Sequence, residues 1–321
     1  MLSEFDLIAR YFTRPPRRQD VSVGIGDDCA LLIPDHEAQL AISSDMLVEG
    51  RHFFPGAEPH ALGHKCLAVN LSDLAAMGAE PVAFTLALAL PEANQEWLAR
   101  FSSGLLELAD RHGCELIGGD TTKGPLNICI TIFGKVPPGQ ALKRDAARAG
   151  DDIWISGNLG DARLALAGYR SELDLDESTL ANAAGRMHRP TPRVELGMAL
   201  RGIARAAIDV SDGLSGDIAH ILKKSAVGAR LQIDALPAGP MLAAQDQSIR
   251  RRFMLAGGDD YELCFTAPAS MRDAVLHAAA ASGTAVTRVG VIEDKPGLRL
   301  VDRDGAILDL ETDSFDHFTS P

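Results

Sequence analysis

The stretch Ala206-Ala-Ile-Asp-Val-Ser-Asp-Gly-Leu214 places a short apolar strand directly before a serine, an aspartate and a glycine. It predicts a strand over Ala206–Val210 and a helix that begins after Gly213. An aspartate in this position is often a helix N-cap, worth about 1 kcal/mol, and that interpretation suits Asp212 and also Asp161. Strands that lead through polar turns into helices favour an α/β or α+β protein.

Five further stretches place aspartates just after an apolar run or a pair of glycines. They are Gly24–Asp28, Ile42–Asp45, Leu71–Asp73, Gly118–Asp120 and Gly257–Glu262. Carboxylates that converge on one cleft repel one another unless divalent cations lie between them. Mg²⁺ is typically held by a few carboxylates together with substrate phosphates. The set therefore indicates a magnesium-dependent site for phosphate chemistry.

Ordinary local roles explain some of these carboxylates poorly. Asp45 and Asp120 are not predicted to cap helices, because the residues after each have no helical period. Asp73 is predicted on a largely apolar helix face, where an unpaired charge would be costly, so a metal ion or an arginine partner is expected. Asp27, by contrast, could simply shape a turn.

Several neighbouring residues keep two interpretations. The pairs Gly118-Gly119 and Gly257-Gly258 either let the backbone approach a phosphate or only permit tight turns. His52 is either a packed loop residue or a ligand contact, and Ser43 and Ser44 are either capping hydroxyls or ligands of a metal ion or a phosphate. The basic residues among the acids either keep the surface soluble or clamp phosphate oxygens; they are Lys65, Lys123, Arg144 and Arg189.

The composition limits the classes of protein that fit. A length of 321 residues predicts two domains. A net charge of −13 argues against non-specific nucleic-acid binding, although bound cations would still admit an anionic substrate. No apolar run is long enough to span a membrane, and no signal peptide is recognisable at Met1–Asp6.

The five cysteines are widely spaced and form no C-x-x-C pair. Their odd number, in a chain without a secretion signal, predicts reduced thiols and a cytoplasmic protein. A structural zinc site is not expected for the same reason.

Hydrophobic periodicity divides the chain into two mixed α/β halves. In the first half, helices are predicted over residues 61–77 and 96–112, and strands over Gln39–Ser43, Ala83–Leu90 and Asn127–Lys135. In the second half, strands are predicted over Asp152–Ser156 and Ala206–Val210, and a helix at Thr191-Pro192. The break at Pro137-Pro138-Gly139 and the polar segment that follows predict a domain over residues 1–138 and another over residues 149–321.

Two common signatures of phosphate-binding proteins are absent from the sequence, and a third is incomplete. It has no G-x-x-x-x-G-K-[ST] segment and no H-R-D or D-F-G set, which excludes a P-loop enzyme and a protein-kinase fold. The segment Gly24–Cys29 begins like a dinucleotide-binding fingerprint but lacks its third glycine.

Taken in order, the motifs resemble those of the thiamine-monophosphate kinases, a family of the AIR-synthase-like (PurM-like) ATP-binding superfamily. The resemblance covers essentially the whole chain and rests on Gly24–Ala30, Ile42–Phe53, Lys65–Ala79, Ile117–Thr122, Ile208–Leu214, Gly257–Leu263 and Phe315–Phe318. Gly-Asp-Asp alone carries little information, but the order and spacing of the whole set are highly specific.

The resemblance implies a PurM-like two-domain α/β fold, with a C-terminal α/β domain and with amino-terminal sheets that pair into a barrel across a homodimer. It also implies transfer of the γ-phosphate of ATP to thiamine monophosphate, assisted by several Mg²⁺ ions. The products would be thiamine diphosphate and ADP. Neither a nucleic acid nor a membrane is an expected partner.

Matching the family pattern position by position assigns three sets of residues. The magnesium ligands are Asp28, Ser43, Ser44, Asp45, Asp73, Asp120, Asp209 and Asp212. The ATP contacts are Gly119, Asp120, Arg144 and Ser211, and the substrate contacts are His52, Asp259 and Phe315. Two positions depart from the pattern: the family usually has glutamate at Asp259 and commonly threonine at Ser44.

The expected mechanism is direct attack by a thiamine monophosphate oxygen on the γ-phosphorus, without a phosphoenzyme or a side-chain nucleophile. That oxygen is already ionised at neutral pH, so positioning and charge neutralisation are the main requirements. Two alternatives remain open. One is a sister enzyme of the superfamily, such as aminoimidazole ribonucleotide synthetase, and the other is a non-catalytic nucleotide or thiamine-phosphate sensor on the same fold.

Overall fold

The computed structural model describes residues 3–310, which divide into two compact units. The first unit consists of residues 3–74 and 79–139, and the second of residues 75–78 and 140–310. Both units mix helices with strands, which confirms the predicted mixed α/β class. Phe315 and the rest of the predicted motif Phe315–Phe318 lie outside the described residues.

The first unit is built on one four-stranded sheet. Its helices are α1 (Glu4–Tyr11), α2 (Pro59–Ala76) and α3 (Gln95–Arg111), and its strands are β1 (Val21–Val23), β2 (Leu31–Leu32), β3 (Gln39–Val48), β4 (Glu80–Leu90), β5 (Glu115–Lys123) and β6 (Asn127–Val136). The sheet order is β3-β6-β4-β5, in which only the β4–β5 pair is parallel, and β1 and β2 form a separate antiparallel pair.

Two long helices of the first unit cross at very short range. A methyl group at Gly63 of α2 would overlap the carbonyl oxygen of Phe101, and one at Gly104 of α3 would overlap the carbonyl oxygen of His60. Glycine at both positions therefore lets the two backbones touch. The packed pair places the polar end of α2, with Asn70 and Asp73, beside strand β3.

One face of the first unit's sheet is exposed and partly apolar. Alternate residues of β3 expose large apolar side chains, with Leu40 and Ile42 at 59% and Met46 at 52% of their full accessible area. Ser44 lies between them on the same face, because side chains along a strand alternate. We call this surface the open face; the residues of the other face, such as Ile130 and Leu86, are buried.

The second unit is built on a six-stranded sheet. Its helices are α4 (Asp161–Tyr169), α5 (Glu177–His188), α6 (Val194–Ala199), α7 (Leu214–Ser225), α8 (Gln247–Ala256) and α9 (Arg272–Ala281). Its strands are β7 (Asp151–Ser156), β8 (Ala206–Val210), β9 (Gly228–Gln232), β10 (Glu262–Pro268), β11 (Val286–Glu293) and β12 (Gly297–Val301). The sheet order is β12-β9-β11-β7-β10-β8, in which only the β12–β9 pair is parallel.

The edge of this sheet brings two loops together. Strand β8 pairs antiparallel with β10, with Val210 opposite Glu262, so the loop after β8 lies beside the loop before β10. Both strands are buried, and their apolar residues join one large core. The few polar side chains on them, including Asp209 and Glu262, are therefore buried as well.

Several predicted element boundaries shift in the structure. Strand β3 continues to Val48, so Asp45 lies within it rather than after its end, and Asp120 similarly lies within β5. The predicted helix start at Thr191-Pro192 is wrong, because helix α6 begins at Val194 and its N-cap residue is Arg193. Among residues 3–310, no helix has the length and apolar character needed to cross a membrane.

Candidate active site

Strand β3 directs its candidate ligands to both faces of the sheet. Ser43 and Asp45 face helix α2, whereas Ser44 faces the open side. The Ser43 hydroxyl donates a short hydrogen bond to the carboxylate of Asp73, and the Asp45 backbone N–H donates to Oδ1 of the buried Asn70 at 3.2 Å. Three oxygen-bearing side chains, Ser43, Asp45 and Asp73, are thus collected between β3 and α2.

Ser44 belongs to a different environment. Its hydroxyl donates to the Ile130 carbonyl oxygen at 3.1 Å and lies 3.1 Å from the Thr131 hydroxyl, both on the neighbouring strand β6. A metal ion held by Ser43 and Asp45 would lie on the other side of the sheet. The structure therefore separates Ser44 from the two residues that flank it in sequence.

Asp120 is also on the open face, at the far edge of the sheet. It is paired in register with Ala87 of β4, which is opposite Cys129 of β6, which is opposite Met46 of β3. These four positions share one face, and Asp120 is exposed there. Three strand spacings separate β5 from β3, about 14 Å. Asp120 and Asp45 therefore lie on opposite faces and opposite edges of one sheet.

Gly119 has a structural reason to be glycine. Its φ is +143°, and a methyl group there would overlap the carbonyl oxygen of Leu86 on β4. Both earlier interpretations, a tight turn and approach to a phosphate, missed this requirement. The close contact with Leu86 lies beside the register irregularity between Phe84 and Thr85.

His52 and Asp28 lie in loops of the first unit. His52 follows β3, and its Nδ1 accepts a hydrogen bond from the Val48 backbone N–H at 3.0 Å. An accepting Nδ1 carries no proton, so the neutral ring bears its proton on Nε2 as a donor. Asp28 is exposed, and its backbone N–H donates to Oδ1 of Asp27 at 3.0 Å, so Asp27 shapes the turn.

The loop after β8 in the second unit holds Ser211 and Asp212, directly beyond the buried Asp209. The N-cap residue of helix α7 is Gly213, with a φ of 118°, so the expectation that Asp212 caps this helix is wrong. The same expectation for Asp161 is also wrong, because the N-cap residue of helix α4 is Gly160. The exposed side chain of Asp212 is consequently not committed to the capping role.

Asp217, in the first turn of α7, orders this loop instead. One oxygen of its buried carboxylate accepts hydrogen bonds from the backbone N–H groups of Ser211, Asp212 and Gly213 at 3.1–3.2 Å. Burial, with a contribution from the negative charge of Asp212, raises the pKa of Asp217 to about 7. Sequence reasoning missed this residue, although an acid in the first turn of a helix is a known signal for binding orphan N–H groups.

The loop before β10 lies directly against the loop after β8. The Asp259 N–H donates to the Ser211 carbonyl oxygen and the Tyr261 N–H to the Val210 carbonyl oxygen, each at 2.8 Å. A methyl group at Gly258 would come within 2.5 Å of the Ser211 oxygen, so glycine is needed for this contact between backbones. Ser211, Asp212 and Asp259 are thereby gathered on two joined loops.

Arg144 is not gathered with them. Lys143 is bridged to Ala206 at the start of β8, whereas Ser211 follows the end of that strand. Five residues of strand separate Ala206 from Ser211, about 16 Å. The backbone of the exposed Arg144 lies near the start of β8, and its carbonyl oxygen accepts a hydrogen bond from the Ser225 hydroxyl at 2.9 Å.

The candidate ligands form small sets rather than one cluster. Within residues 3–310, no group of three or more histidine, cysteine, aspartate or glutamate side chains is arranged to hold a metal ion. The donors nevertheless suit a hard cation, because all are carboxylate or hydroxyl oxygens. Mg²⁺ commonly uses one or two carboxylates and completes its coordination with phosphate oxygens and water.

Comparison with known proteins agrees with the motif pattern along the whole chain. Residues 26–136 match the N-terminal domain and residues 148–303 the C-terminal domain of the AIR synthase related proteins. The chain is 48% identical to the thiamine-monophosphate kinase of Salmonella typhimurium, an alignment that covers 99% of each chain.

Two solved structures are also similar over most of their length. The crystal structure of thiamine-monophosphate kinase from Stenotrophomonas maltophilia superposes with a TM-score of 0.84 at 47% identity, covering 90% of this chain and 92% of that one. AaThiL complexed with AMPPCP and TMP superposes with a TM-score of 0.78 at 30% identity, covering 92% and 93%. The expected PurM-like fold is confirmed by these matches.

Proposed function

This chain belongs to the thiamine-monophosphate kinases, which transfer a phosphate group from ATP to thiamine monophosphate, and we propose that it does so in one direct, in-line step. The activity is supported by similarity over the full length to a known thiamine-monophosphate kinase. The pair of substrates is supported by a relative whose structure is complexed with AMPPCP, an ATP analogue, and TMP. The gathering of Ser211, Asp212 and Asp259 on two joined loops is the observation in this chain that supports the direct step.

The side chains present favour positioning over covalent catalysis. Burial raises the pKa of the thiols of Cys66, Cys114 and Cys264, so these three cysteines stay neutral and are poor nucleophiles. The attacking phosphate oxygen is already anionic, so no strong base is required. Holding two phosphates in line and neutralising their charge is the main demand of the reaction.

Several Mg²⁺ ions would supply that neutralisation. Their proposed ligands remain those implied by the family pattern: Asp28, Ser43, Ser44, Asp45, Asp73, Asp120, Asp209 and Asp212. In the first unit, the Ser43 hydroxyl already orients the Asp73 carboxylate, and Asn70 holds the β3 backbone at Asp45. Such oriented oxygen donors suit a cation that demands regular geometry.

The remaining proposed contacts bind the two organic substrates. Gly119, Asp120, Arg144 and Ser211 are proposed for ATP, and His52, Asp259 and Phe315 for thiamine monophosphate. The His52 ring is held by the Val48 N–H in the tautomer that presents Nε2–H as a donor.

The direct test is an assay of the purified chain with ATP, Mg²⁺ and thiamine monophosphate, with thiamine diphosphate resolved by chromatography. We expect one thiamine diphosphate per ADP formed, and none after chelation of Mg²⁺. A phosphoprotein trapped during turnover would contradict the direct step. ATP binding without product would instead favour the sensor alternative.

We further propose that the protein is a homodimer whose subunits meet at the open face. Exposed Leu40, Ile42 and Met46 form an apolar strip that a second copy would remove from water. This face also bears Ser44 and Asp120, whereas Asp45 lies on the other side of the sheet. Ser44 and Asp120 would therefore lie at the interface, whereas Asp45 would face away from it.

A charged substitution on the open face tests this arrangement. Ile42→Asp places a carboxylate in the apolar strip, so the protein should become monomeric in analytical ultracentrifugation. Leu276→Asp, which changes an exposed apolar residue of α9, is the matched control and should remain dimeric. A dimer in folded Ile42→Asp would contradict the proposed interface.

We propose a cytoplasmic location. All five cysteines are unpaired in the described part of the chain, and three of them are buried thiols. Free thiols and a nucleotide substrate both suit a reducing compartment that contains ATP. Secretion of the tagged protein from its native cell would contradict this proposal.

A further inference from the structure

The loop that carries Asp259 has an unfavourable backbone conformation. Asp259 has a φ of 70° and Tyr261 a φ of 51°, so two of three consecutive residues are left-handed without being glycine. Aspartate tolerates this conformation, but a bulky aromatic residue rarely adopts it. Such conformations persist only where surrounding interactions impose them, and they concentrate at binding sites.

Three interactions impose the conformation from within the same unit. The backbone N–H groups of Asp259 and Tyr261 bind Ser211 in the loop after β8 and Val210 at the end of β8, as described above. Between them, the buried carboxylate of Asp260 accepts the Gly160 N–H on both oxygens, at 2.9 and 3.0 Å. The third interaction starts at Glu262, the first residue of β10.

Glu262 is fully buried at the centre of an arginine cluster. Its carboxylate accepts hydrogen bonds from the Ser156 hydroxyl at 2.6 Å, from Nε of Arg193 at 2.6 Å and from Nη2 of Arg186 at 3.0 Å. The same Arg186 nitrogen also donates to the Asp260 carbonyl oxygen at 3.2 Å. A side chain at Gly157 would overlap the Glu262 carboxylate, so the cluster is closely packed on that side.

A second cluster of the same chemistry lies at the other end of the sheet. The buried Asp152 on β7 binds Arg272 at 2.6 Å and Arg288 at 3.3 Å. Asp152 is opposite Ala267, at the far end of β10 from Glu262. Two arginines hold one buried carboxylate in both places, but only the Glu262 cluster is bonded to the Asp259 loop.

We propose that the Glu262–Arg186–Arg193 cluster positions the Asp259 loop for thiamine monophosphate, with Arg186 as the positioning residue that links the cluster to the loop. The inference rests on the proposed contact between Asp259 and the substrate. A buried ion pair is weak evidence for a role in stability, because apolar side chains of similar size in its place often make a protein equally or more stable. The directional bond from Arg186 to the Asp260 carbonyl oxygen of a left-handed loop is better explained by positioning.

The test compares two arginine substitutions that each leave one arginine on the buried carboxylate. Arg186→Met removes the bonds to Asp260 and Glu262 but leaves Arg193, and the matched control, Arg288→Met, leaves Arg272 on Asp152. We expect Arg186→Met to raise KM for thiamine monophosphate at least about fivefold, the effect of one lost hydrogen bond, with KM for ATP unchanged. Arg288→Met should alter neither KM, and Arg186→Lys should recover part of the loss.

Two outcomes would overturn the proposal. One is an unchanged KM for thiamine monophosphate in a folded Arg186→Met protein, and the other is an equal rise in the Arg288→Met control. Should Arg186→Met fail to fold, Arg186→Lys with the same two KM measurements decides the question.

Asp259→Ala separates this proposal from the substrate role on which it rests. If Arg186 acts through Asp259, the effects of Arg186→Met and Asp259→Ala on KM are not additive, and additive effects overturn the proposal. Should Asp259→Ala alone leave KM unchanged, the substrate role of Asp259 is wrong. In that case the cluster is still shown to position the loop if Arg186→Met raises KM for thiamine monophosphate and speeds hydrogen exchange of the Asp259 and Tyr261 amides relative to the natural protein. Unchanged exchange would overturn the proposal.

Discussion

The two units support their candidate ligands in different ways. In the first unit the ligands lie largely on regular elements, with Asp45 in strand β3, Asp73 in helix α2 and Asp120 in strand β5. In the second unit Ser211, Asp212 and Asp259 lie on loops, and buried acids such as Asp217 hold those loops in place.

The difference predicts how function and stability are coupled in each unit. A helix is held by hydrogen bonds within its own backbone, and a strand by backbone hydrogen bonds to its neighbours. An exposed ligand on either can therefore change with little cost to the fold. A loop has no such ladder, and its geometry depends on the side chains that bind its N–H groups and carbonyl oxygens. Substitutions at the second unit's supporting acids should therefore affect stability and activity together.

Asp120→Asn should give the largest loss of activity with the smallest structural effect. The exposed carboxylate makes no contribution to the core, so the free energy of unfolding should change by less than about 0.5 kcal/mol. Loss of one charge-stabilising group should lower kcat/KM by at least about 100-fold. Steady-state kinetics and thermal unfolding check both values. Asp27→Asn changes an exposed turn aspartate outside the predicted set and keeps an oxygen acceptor for the Asp28 N–H, so this control should retain activity.

Asp217→Ala should lower both properties. Three backbone N–H groups lose their acceptor, which should cost on the order of 3 kcal/mol of unfolding free energy. Misplacement of Ser211 and Asp212 should reduce kcat/KM by about tenfold or more. The control is Asp161→Ala, which removes another buried acceptor, of the Leu242 N–H at 2.8 Å. It should destabilise without changing kcat/KM; full stability in Asp217→Ala would contradict the proposed support.

The comparison also explains which parts of the molecule could be read from the sequence. Strand β8 was predicted over its observed length, Ala206–Val210, because its apolar run is continuous and ends at a polar turn. The candidate ligands on the second unit's loops, Ser211, Asp212 and Asp259, came from the resemblance to the family pattern and stay predictions. The supporting acids were missed for two different reasons. Asp217 carries a local signal, an acid in the first turn of a helix, that was not used. Nothing local distinguishes Glu262, because its arginine partners are distant in sequence.

In the first unit, the sequence did not reveal which face of the sheet each candidate ligand occupies. Ser43, Ser44 and Asp45 are consecutive, and their separation onto two faces follows only once β3 is known to continue past Ser43. The polar residues Ser43, Ser44 and Asp45 interrupt the apolar pattern of β3, so the strand was predicted to end at Ser43. The glycine requirement at Gly119 similarly depends on the neighbouring strand carrying Leu86, which is distant in sequence.

Asp259→Glu tests whether the loop backbone limits the choice of residue at this family position. The longer side chain restores the reach usual in the family and should lower KM for thiamine monophosphate by about threefold. Aspartate tolerates a φ of 70° better than glutamate, so the substitution should also cost about 0.5–1 kcal/mol of stability. Asp259→Asn, which keeps the short side chain but not the charge, should raise KM. A higher KM in Asp259→Glu would show that the shorter reach is required here.

Asp260→Asn should give the smallest effect, and its sign depends on pH. Burial raises the pKa of Asp260 well above its usual value, so the folded protein retains this proton at pH values where the unfolded chain has released it. The acid's contribution to stability is therefore present at low pH and is lost as pH rises above the usual aspartate range. Asparagine keeps an oxygen acceptor for the Gly160 N–H and does not titrate.

Relative to the natural protein, Asp260→Asn should thus become more stable as pH is raised from 5 to 8, measured as the difference in Tm between the two proteins at each pH. Asp120→Asn, at an exposed carboxylate of the first unit, is the control and should change Tm little at either pH. A pH-independent difference for Asp260→Asn would mean that the attraction of Arg186 offsets the burial of Asp260. Asp260 would then hold the loop as a charged member of the arginine cluster. The second unit would in that case differ from the first by its buried ion pairs rather than by buried neutral acids.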